Sequence, residues 1–430
     1  MAYLGTSIRR DTFAALWCAL TFCMQPSSAM GIDFKIELPP TKGVLTPDDE
    51  DFFDDVLTVT PEQSDSLQSD FSEQLAPGAA NSLLSKRKSE RQPVPANATN
   101  ELPSSTSPLK SPQTGPQRLQ DKKFANKSSI PNINSFPNLS CLADNIDFWK
   151  KVYAEVDTHE AMIHDRDELD KVYGVVRLNG SEPQRKQSMR LLKEHYRQLL
   201  QSLAERLDSP KEWTASEKAL VKLFRPSELT RSRLLQASEN IRIQQGLKSR
   251  FNAGVQRSLQ YLPTIKTVLR SEKMPLDIVY LPHVESSFVN HAKSKVGAVG
   301  LWQLMPDTMR LLMGRQAISK RTEPKIATQA AVKLLKQNFN ATGSWPLALT
   351  AYNHGLGGVM RAVRSTASTD LCQIIARYNS PSFRFASSNF YAQFVAARDI
   401  ALRRYSELSK NRELSHLVEP LIASRVKGAL

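Results

Sequence analysis

From residue 138 to about residue 406 the sequence carries one periodicity. Apolar residues recur at the three-and-four spacing of helices, and no stretch of useful length alternates as a strand does. DNIDFWKKVYAEV puts Ile146, Trp149, Val152, Tyr153 and Val156 on one face. Further helical patterns run over about 183–207, 215–224 and 227–259. LPTIKTVLRSEKMP reads as a short helix, with Pro263 near its start and Pro275 closing it. PKIATQAAVKLLKQNF carries a stripe of Ala327, Ala330, Ala331, Leu334, Leu335 and Phe339. SWPLALTAYNHG opens with Pro346 in the first turn and stops at Gly355. NFYAQFVAARDIALRRY stacks Phe390, Phe394, Ala397, Ala401 and Tyr405. The fold class this implies is mostly α.

The preceding residues are different. Arg9 and Arg10, an apolar run from Phe13 to Met24, and small residues at Ser27 and Ala29 have the layout of a secretory signal peptide over residues 1–29. The alternative is a buried N-terminal helix. The run is too short for the ~20 apolar residues of a spanning helix. Phe22 stands before Cys23 where a lipobox wants Gly or Ala, so a lipoprotein anchor is not expected. Residues 43–85 hold ten acidic residues and no Lys or Arg, and residues 86–127 turn basic and rich in Pro, Ser, Asn and Gln. Residues 30–135 therefore read as a disordered acidic arm followed by a Pro- and Ser-rich basic linker. The arm is a candidate contact to a membrane surface or an envelope complex. The remaining divisions are a helical segment (138–260), a compact helical domain (261–408) and a C-terminal tail (409–430).

Removing a signal leaves Cys141 and Cys372 of the four cysteines. In an oxidising compartment they either form a disulfide tying the start of the folded region to its end or remain two buried thiols. The formal charge of +14 favours acidic partners: nucleic acid, anionic lipid or an acidic polymer such as a cell wall. Nucleic acid is not expected, because aromatic–basic motifs are missing. The seven histidines form no HExxH and the cysteines no CxxC, and there is neither a GxSxG elbow nor a Gly-rich phosphate loop. Metal and cofactor are not expected.

The chemistry centres on YLPHVESSF, residues 280–288, where Glu285 lies among Leu281, Pro282, Val284 and Phe288. A lone carboxylate there is costly unless it is paired or keeps its proton, and a carboxyl protonated near neutral pH is a proton donor. Ser294, Gly297, Gly300 and Gln303 follow in KSKVGAVGLWQLMP, then Tyr352 and Asn353, then Tyr391. One acid, neutral hydrogen-bonding groups and aromatic faces suit a carbohydrate cleft, although each residue type alone serves packing or capping equally well.

These stretches resemble the lytic transglycosylase domain of the goose-lysozyme-like superfamily. VESSF matches its Glu-Ser motif, SKVGAVGLWQLMP its Ser…Gly-Ala…Gly-Leu-x-Gln motif, LTAYNHG its Ala-Tyr-Asn-x-Gly motif and FYAQF its late Tyr motif, all in order over about 262–405. Within the superfamily the sequence resembles the branch of membrane-bound lytic murein transglycosylase D, where a segment like ENIRIQQGLKSRFNAGVQRSLQYLP precedes the domain. The resemblance implies a lysozyme-like α domain. It implies Glu285 as the catalytic acid and Ser286, Ser294, Gln303, Tyr352, Asn353 and Tyr391 as substrate-binding residues. Trp302 reads equally as core or as cleft floor. About 25 residues follow Tyr405, too few for the LysM repeats of that branch, so wall affinity is expected from the domain itself. Where relatives carry an acidic pair after the second motif, SKRTEP offers Glu323 alone.

The implied substrate is a peptidoglycan glycan strand, acted on by a monomer in the periplasm or cell envelope. No second carboxylate lies within the four motifs, whereas most glycosidases use two. Glu285 would therefore serve first as acid and then as base for a 1,6-anhydro product. The alternatives are a muramidase, which needs a second acid such as Asp307, and a non-catalytic wall-binding scaffold.

Overall fold

A computed structural model describes residues 135–410 and 412–426. The expected signal peptide and, but for residue 135, the expected arm and linker lie outside the described residues.

The described chain begins with a strap. Phe136 is fully buried, its ring 5.3 Å from Trp345 and 5.0 Å from Phe394. Helix α1 (Ala143–Ala154) then buries Ile146, Trp149, Val152 and Tyr153, the face expected from its spacing. Strands β1 (Glu160–Asp165) and β2 (Val172–Arg177) follow. Helix α2 (Glu182–Glu205) opens with the Ser181 N–H donating to Gln184 Oε1 at 2.7 Å. Helix α3 (Ala215–Val221) is capped reciprocally by Thr214 and Glu217, and α4 (Arg231–Glu239) by the Thr230 hydroxyl. Strand β3 (Ile241–Gln245) completes an antiparallel sheet in the order β2-β1-β3. Ile163 pairs with Gly174 on one side and with Ile243 on the other.

The sheet corrects the all-helical reading of this region. Strand β1 is buried at five successive positions, so it presents an apolar run rather than an alternation. The pattern read as one helix over 227–259 is three elements, α4, β3 and the start of α5. The side chains Leu192, Leu200, Leu220, Leu234 and Ile243 form one core beneath the sheet.

Helix α5 (Lys248–Ser271) is a second correction. It passes unbroken through Pro263 and across the expected boundary at residues 260 and 261. A proline inside a helix removes one ladder bond and costs about 3 kcal/mol. Burial of Leu262, Ile265, Val268 and Leu269 offsets this, each residue contributing about 1.5–3 kcal/mol.

The chain then folds through α6 (Leu281–Glu285), α7 (Pro306–Met313), α8 (Pro324–Thr342), α9 (Trp345–His354), α10 (Leu356–Thr366), α11 (Leu371–Arg377), α12 (Phe385–Leu408) and α13 (Arg412–Val426). Helix α9 starts and stops where Pro346 and Gly355 predict. Helix α12 is the axle. It packs on α1, α6, α9 and α13, and Phe390, Phe394, Ala397, Ala401 and Tyr405 are all buried. Residues 412–426, read as tail, are a helix that buries Val418 and Leu421 and accepts a bond from Lys266 Nζ at the Leu417 carbonyl, 2.6 Å. A disulfide joins Cys141 to Cys372, with Cα atoms 5.9 Å apart. The fold is mostly α, as the periodicity implies, with one small sheet.

Candidate active site

Glu285 closes α6, a helix of five residues that stops abruptly. Pro282 starts it, and the N–H groups of Ser286 and Phe288 both donate to the Pro282 carbonyl at 3.1 Å. Ser287 and Phe288 then take left-handed backbone angles, φ 50° and 58°. Such conformations cost about 1–3 kcal/mol each in non-glycine residues and persist only where the surroundings impose them. Here Arg257 on α5 donates to the Ser287 carbonyl from Nε at 3.1 Å and Nη2 at 2.8 Å. Gly254 lets α5 approach, since a Cβ there would lie 2.9 Å from the same carbonyl.

The Glu285 side chain is half-buried. Burial pushes its carboxyl pKa from 4.5 up to about 8, with no other cause. Some solvent access thus coexists with a strongly desolvated carboxyl. Among the described residues it has no hydrogen bond and no ion pair. Burial first, and then the nearby charge of Glu285, raises the hydroxyl pKa values of two tyrosines, Tyr352 of α9 and Tyr153 of α1. Tyr352 donates to the Trp302 carbonyl at 2.7 Å, while Tyr153 makes no hydrogen bond among the described residues.

A glycine-bearing loop forms the next wall. Ser286 is fully buried and donates from Oγ to the Leu301 carbonyl at 2.9 Å, tying α6 to this loop. Ser294 accepts from the Ala298 N–H at Oγ, 3.0 Å, and so closes the loop on itself. Gly297 and Gly300 have φ 91° and 89°, and Arg321 donates to the carbonyls of Gly297 at 2.9 Å and Leu304 at 3.2 Å. Arg321, in the SKRTEP stretch, therefore braces the loop from outside. Gln303 sits at φ 44°. Its Nε2 donates to Ala292 at 3.1 Å and Gly300 at 2.9 Å, and its buried Oε1 has no protein partner. An unpaired buried amide oxygen is a ready acceptor for an N–H or O–H brought by a ligand. Trp302 is fully buried and donates to Thr328 Oγ1 at 3.0 Å, which makes it core.

Asn353 is exposed at the end of α9 and accepts from Ser387 Oγ at 3.3 Å. Tyr391 lies elsewhere: it is fully buried on α12, and its hydroxyl donates to the Pro137 carbonyl of the strap at 2.8 Å. The fold thus brings Glu285, Tyr352, Gln303 and the serine-braced loop together, and leaves Tyr391 in the interior. Tyr153 is the residue that sequence reasoning missed as part of this site. Its spacing on α1 gives only a core face, and nothing in the sequence aims it at Glu285.

Asp307, the nearest acid to follow in sequence, has a side chain 89% exposed and is bonded to Arg310 at 3.1 Å. Among the described residues no cluster of three or more His, Cys, Asp or Glu is placed to hold a metal ion. The arrangement offers one buried carboxyl without a partner among the described residues, two tyrosines near it and a loop bearing an amide oxygen without a protein partner.

Comparison with known proteins finds a domain match over this region. Residues 264–374 match the family model described as the transglycosylase SLT domain. That span encloses Glu285, Ser286, Ser294, Gln303, Tyr352 and Asn353 and ends before Tyr391. Two curated relatives are the membrane-bound lytic murein transglycosylases D of Escherichia coli strain K12 and of Escherichia coli O6:H1. Each is 35% identical over 112 residues, which is 25% of this chain and 25% of the relative. The chain thus spans about a quarter of the length of those relatives. Residues 264–374 of this chain are thus similar to the transglycosylase SLT domain, and the similarity extends over that segment.

Proposed function

We propose that this protein is an exported lytic transglycosylase that cleaves the β-1,4 bond between N-acetylmuramic acid and N-acetylglucosamine in peptidoglycan and leaves 1,6-anhydro ends. The observation that carries this reading is the unpaired carboxyl of Glu285, whose pKa burial raises to about 8. Near neutral pH it holds its proton, as a general acid must.

The reaction runs in two proton transfers. Glu285 gives its proton to the glycosidic oxygen, and the bond from C1 to that oxygen breaks. The carboxylate now left on Glu285 takes the proton from the C6 hydroxyl of the muramyl residue. The C6 oxygen forms its bond to C1 and closes the anhydro ring, and Glu285 ends protonated. The nucleophile comes from the substrate, so no second carboxylate is needed to activate water. Tyr352, its hydrogen engaged by Trp302, keeps lone pairs on its oxygen for a substrate hydroxyl. Gln303 Oε1 is suited to an N-acetyl N–H. Hydrolysis by a pair of acids is disfavoured, because the side chain of Asp307 is turned to solvent and bonded to Arg310.

The test is mass spectrometry of purified peptidoglycan digested with the protein. Anhydro-muramyl products that vanish with Glu285→Gln are the expected result. Products with reducing muramyl ends would replace this reading with the hydrolytic one. Wall binding without any cleavage would replace it with a scaffold.

A further inference from the structure

A recess opens beside the segment that carries Glu285. It is a cavity of about 80 Å³ between α1, β3, the start of α5, α6 and the start of α12. His283 and Val284, the two residues before Glu285, line it, and so does Tyr153. The recess therefore shares a wall with the candidate active site. Its charge is one-sided. Arg242 of β3 and Arg250 of α5 both line it, and no carboxylate does among the described residues. The Arg242 guanidinium carbon lies over the Phe385 ring, 4.1 Å from its centroid, a cation–π contact. Arg257, beyond the wall, adds positive charge that Arg250 and His283 both feel.

The wall also offers an unpartnered polar atom. Ser258 Oγ and the Tyr405 hydroxyl are hydrogen-bonded at 2.7 Å, and Tyr405 is bonded to His283 Nε2 at 3.0 Å. His283 Nδ1 is buried and without a protein partner. Burial and Arg257 hold the imidazole neutral.

We infer that this recess is a binding site for the anionic peptide stem of the glycan, with Arg242 and Arg250 taking a stem carboxylate. His283 Nδ1, without a protein partner, is suited to an amide group of the stem. The charge favours stem over sugar: the two guanidinium groups that line the recess suit an anionic group better than a neutral pyranose ring. A guanidinium pair is matched to a planar carboxylate, and Trp149 supplies an apolar wall for short aliphatic side chains. The inference rests on reading the neighbouring site as a peptidoglycan cleft.

The test has two arms. In the first, the full chain is titrated by NMR or calorimetry with a soluble N-acetylmuramyl dipeptide bearing a free C-terminal carboxylate, and with its C-terminal amide. The acid is expected to bind about tenfold more tightly, the worth of one well-placed charge-assisted contact. An R242Q/R250Q double substitution is expected to remove that preference. Equal affinity for acid and amide on the unsubstituted protein overturns the inference, as does absence of binding, and neither result depends on whether a variant folds. In the second arm, turnover is compared on strands with stems and on strands stripped of them by an amidase. The double substitution is expected to lower kcat/KM about tenfold more on stem-bearing strands than on stripped ones. An equal loss on both overturns the inference. Charge-dependent binding without turnover keeps the recess and discards the proposed activity. Turnover without charge-dependent binding does the reverse.

Discussion

Arg257 grips the backbone two residues beyond Glu285: Nε and Nη2 both donate to the Ser287 carbonyl, at 3.1 Å and 2.8 Å. Ser287 and Phe288 both sit in the left-handed region, so this grip helps keep α6 ending where Glu285 meets its two tyrosines. Arg257→Gln is expected to destabilise by about 1.5–3 kcal/mol, the range for hydrogen bonds to a charged group. It should also lower turnover more than it raises KM, because the acid is displaced rather than the substrate. Gly254→Ala presses a methyl against the same carbonyl and should produce the same pattern. Thermal melts and steady-state kinetics on peptidoglycan check both variants. A loss of stability with kcat untouched would show that the turn does not position Glu285.

Glu285 itself makes a pH-dependent contribution whose sign is opposite to that of a salt-bridged acid. Its native pKa of about 8 lies above the ordinary 4.5. Between those values the native state binds a proton that the unfolded state has lost, so this residue makes stability fall as pH rises from about 4.5 to about 8. Glu285→Gln removes that effect. The variant should match the parent below pH 4.5 and exceed it increasingly up to pH 8, by on the order of 1–4 kcal/mol. Buried His283, held neutral with a pKa near 3, destabilises the fold as pH falls below 6.5, but equally in both proteins. Urea titrations at several pH values measure the difference. A gap that is independent of pH would mean Glu285 titrates normally. Turnover of the parent should likewise fall as pH rises through about 8, where the acid loses its proton.

Cys141 and Cys372 close a loop of 231 residues and hold the start of α1 against α11. Replacing both with serine, or reducing the bond, should cost about 2–5 kcal/mol. The strap should loosen with it. Arg398, 1% exposed, donates to the Phe136 carbonyl at 2.6 Å and to Asn138 Oδ1 at 2.7 Å, and Tyr391 donates to Pro137. Hydrogen exchange after reduction is expected to speed up first at residues around 136–142. Unchanged exchange there would mean that the Arg398 and Tyr391 contacts suffice without the sulfurs.

The parts of this molecule that sequence spells out are those whose physics is local. The stop of α9 at Gly355 and the buried stripe of α12 follow from residues a few positions apart. Long-range placement is harder to read. The sheet escapes notice because β1 is buried at five successive positions, and Pro263 suggests a helix start that tertiary burial overrules. Tyr391 is a cleft residue by resemblance, yet its hydroxyl is committed to a strap 254 residues earlier in the chain. Tyr153 and Arg257 serve the site from helices outside its motifs, where their spacing reads as ordinary packing and solvent contact.

The two tyrosines beside Glu285 separate support from chemistry. Tyr352→Phe leaves the Trp302 carbonyl without its donor, which should cost about 1–3 kcal/mol. Tyr153→Phe removes a hydroxyl that makes no hydrogen bond among the described residues, and should change stability by no more than about 0.5 kcal/mol. Both remove a hydroxyl that feels the charge of Glu285, so both are expected to lower turnover, by about tenfold or more for Tyr352→Phe. The pair is decisive because the stability effects differ while the expected direction in kcat is shared. If Tyr153→Phe is as active as the parent, the hydroxyl from α1 is only a neighbour of the acid. If it loses activity without losing stability, the N-terminal helix contributes a functional group that no motif of the SLT domain contains.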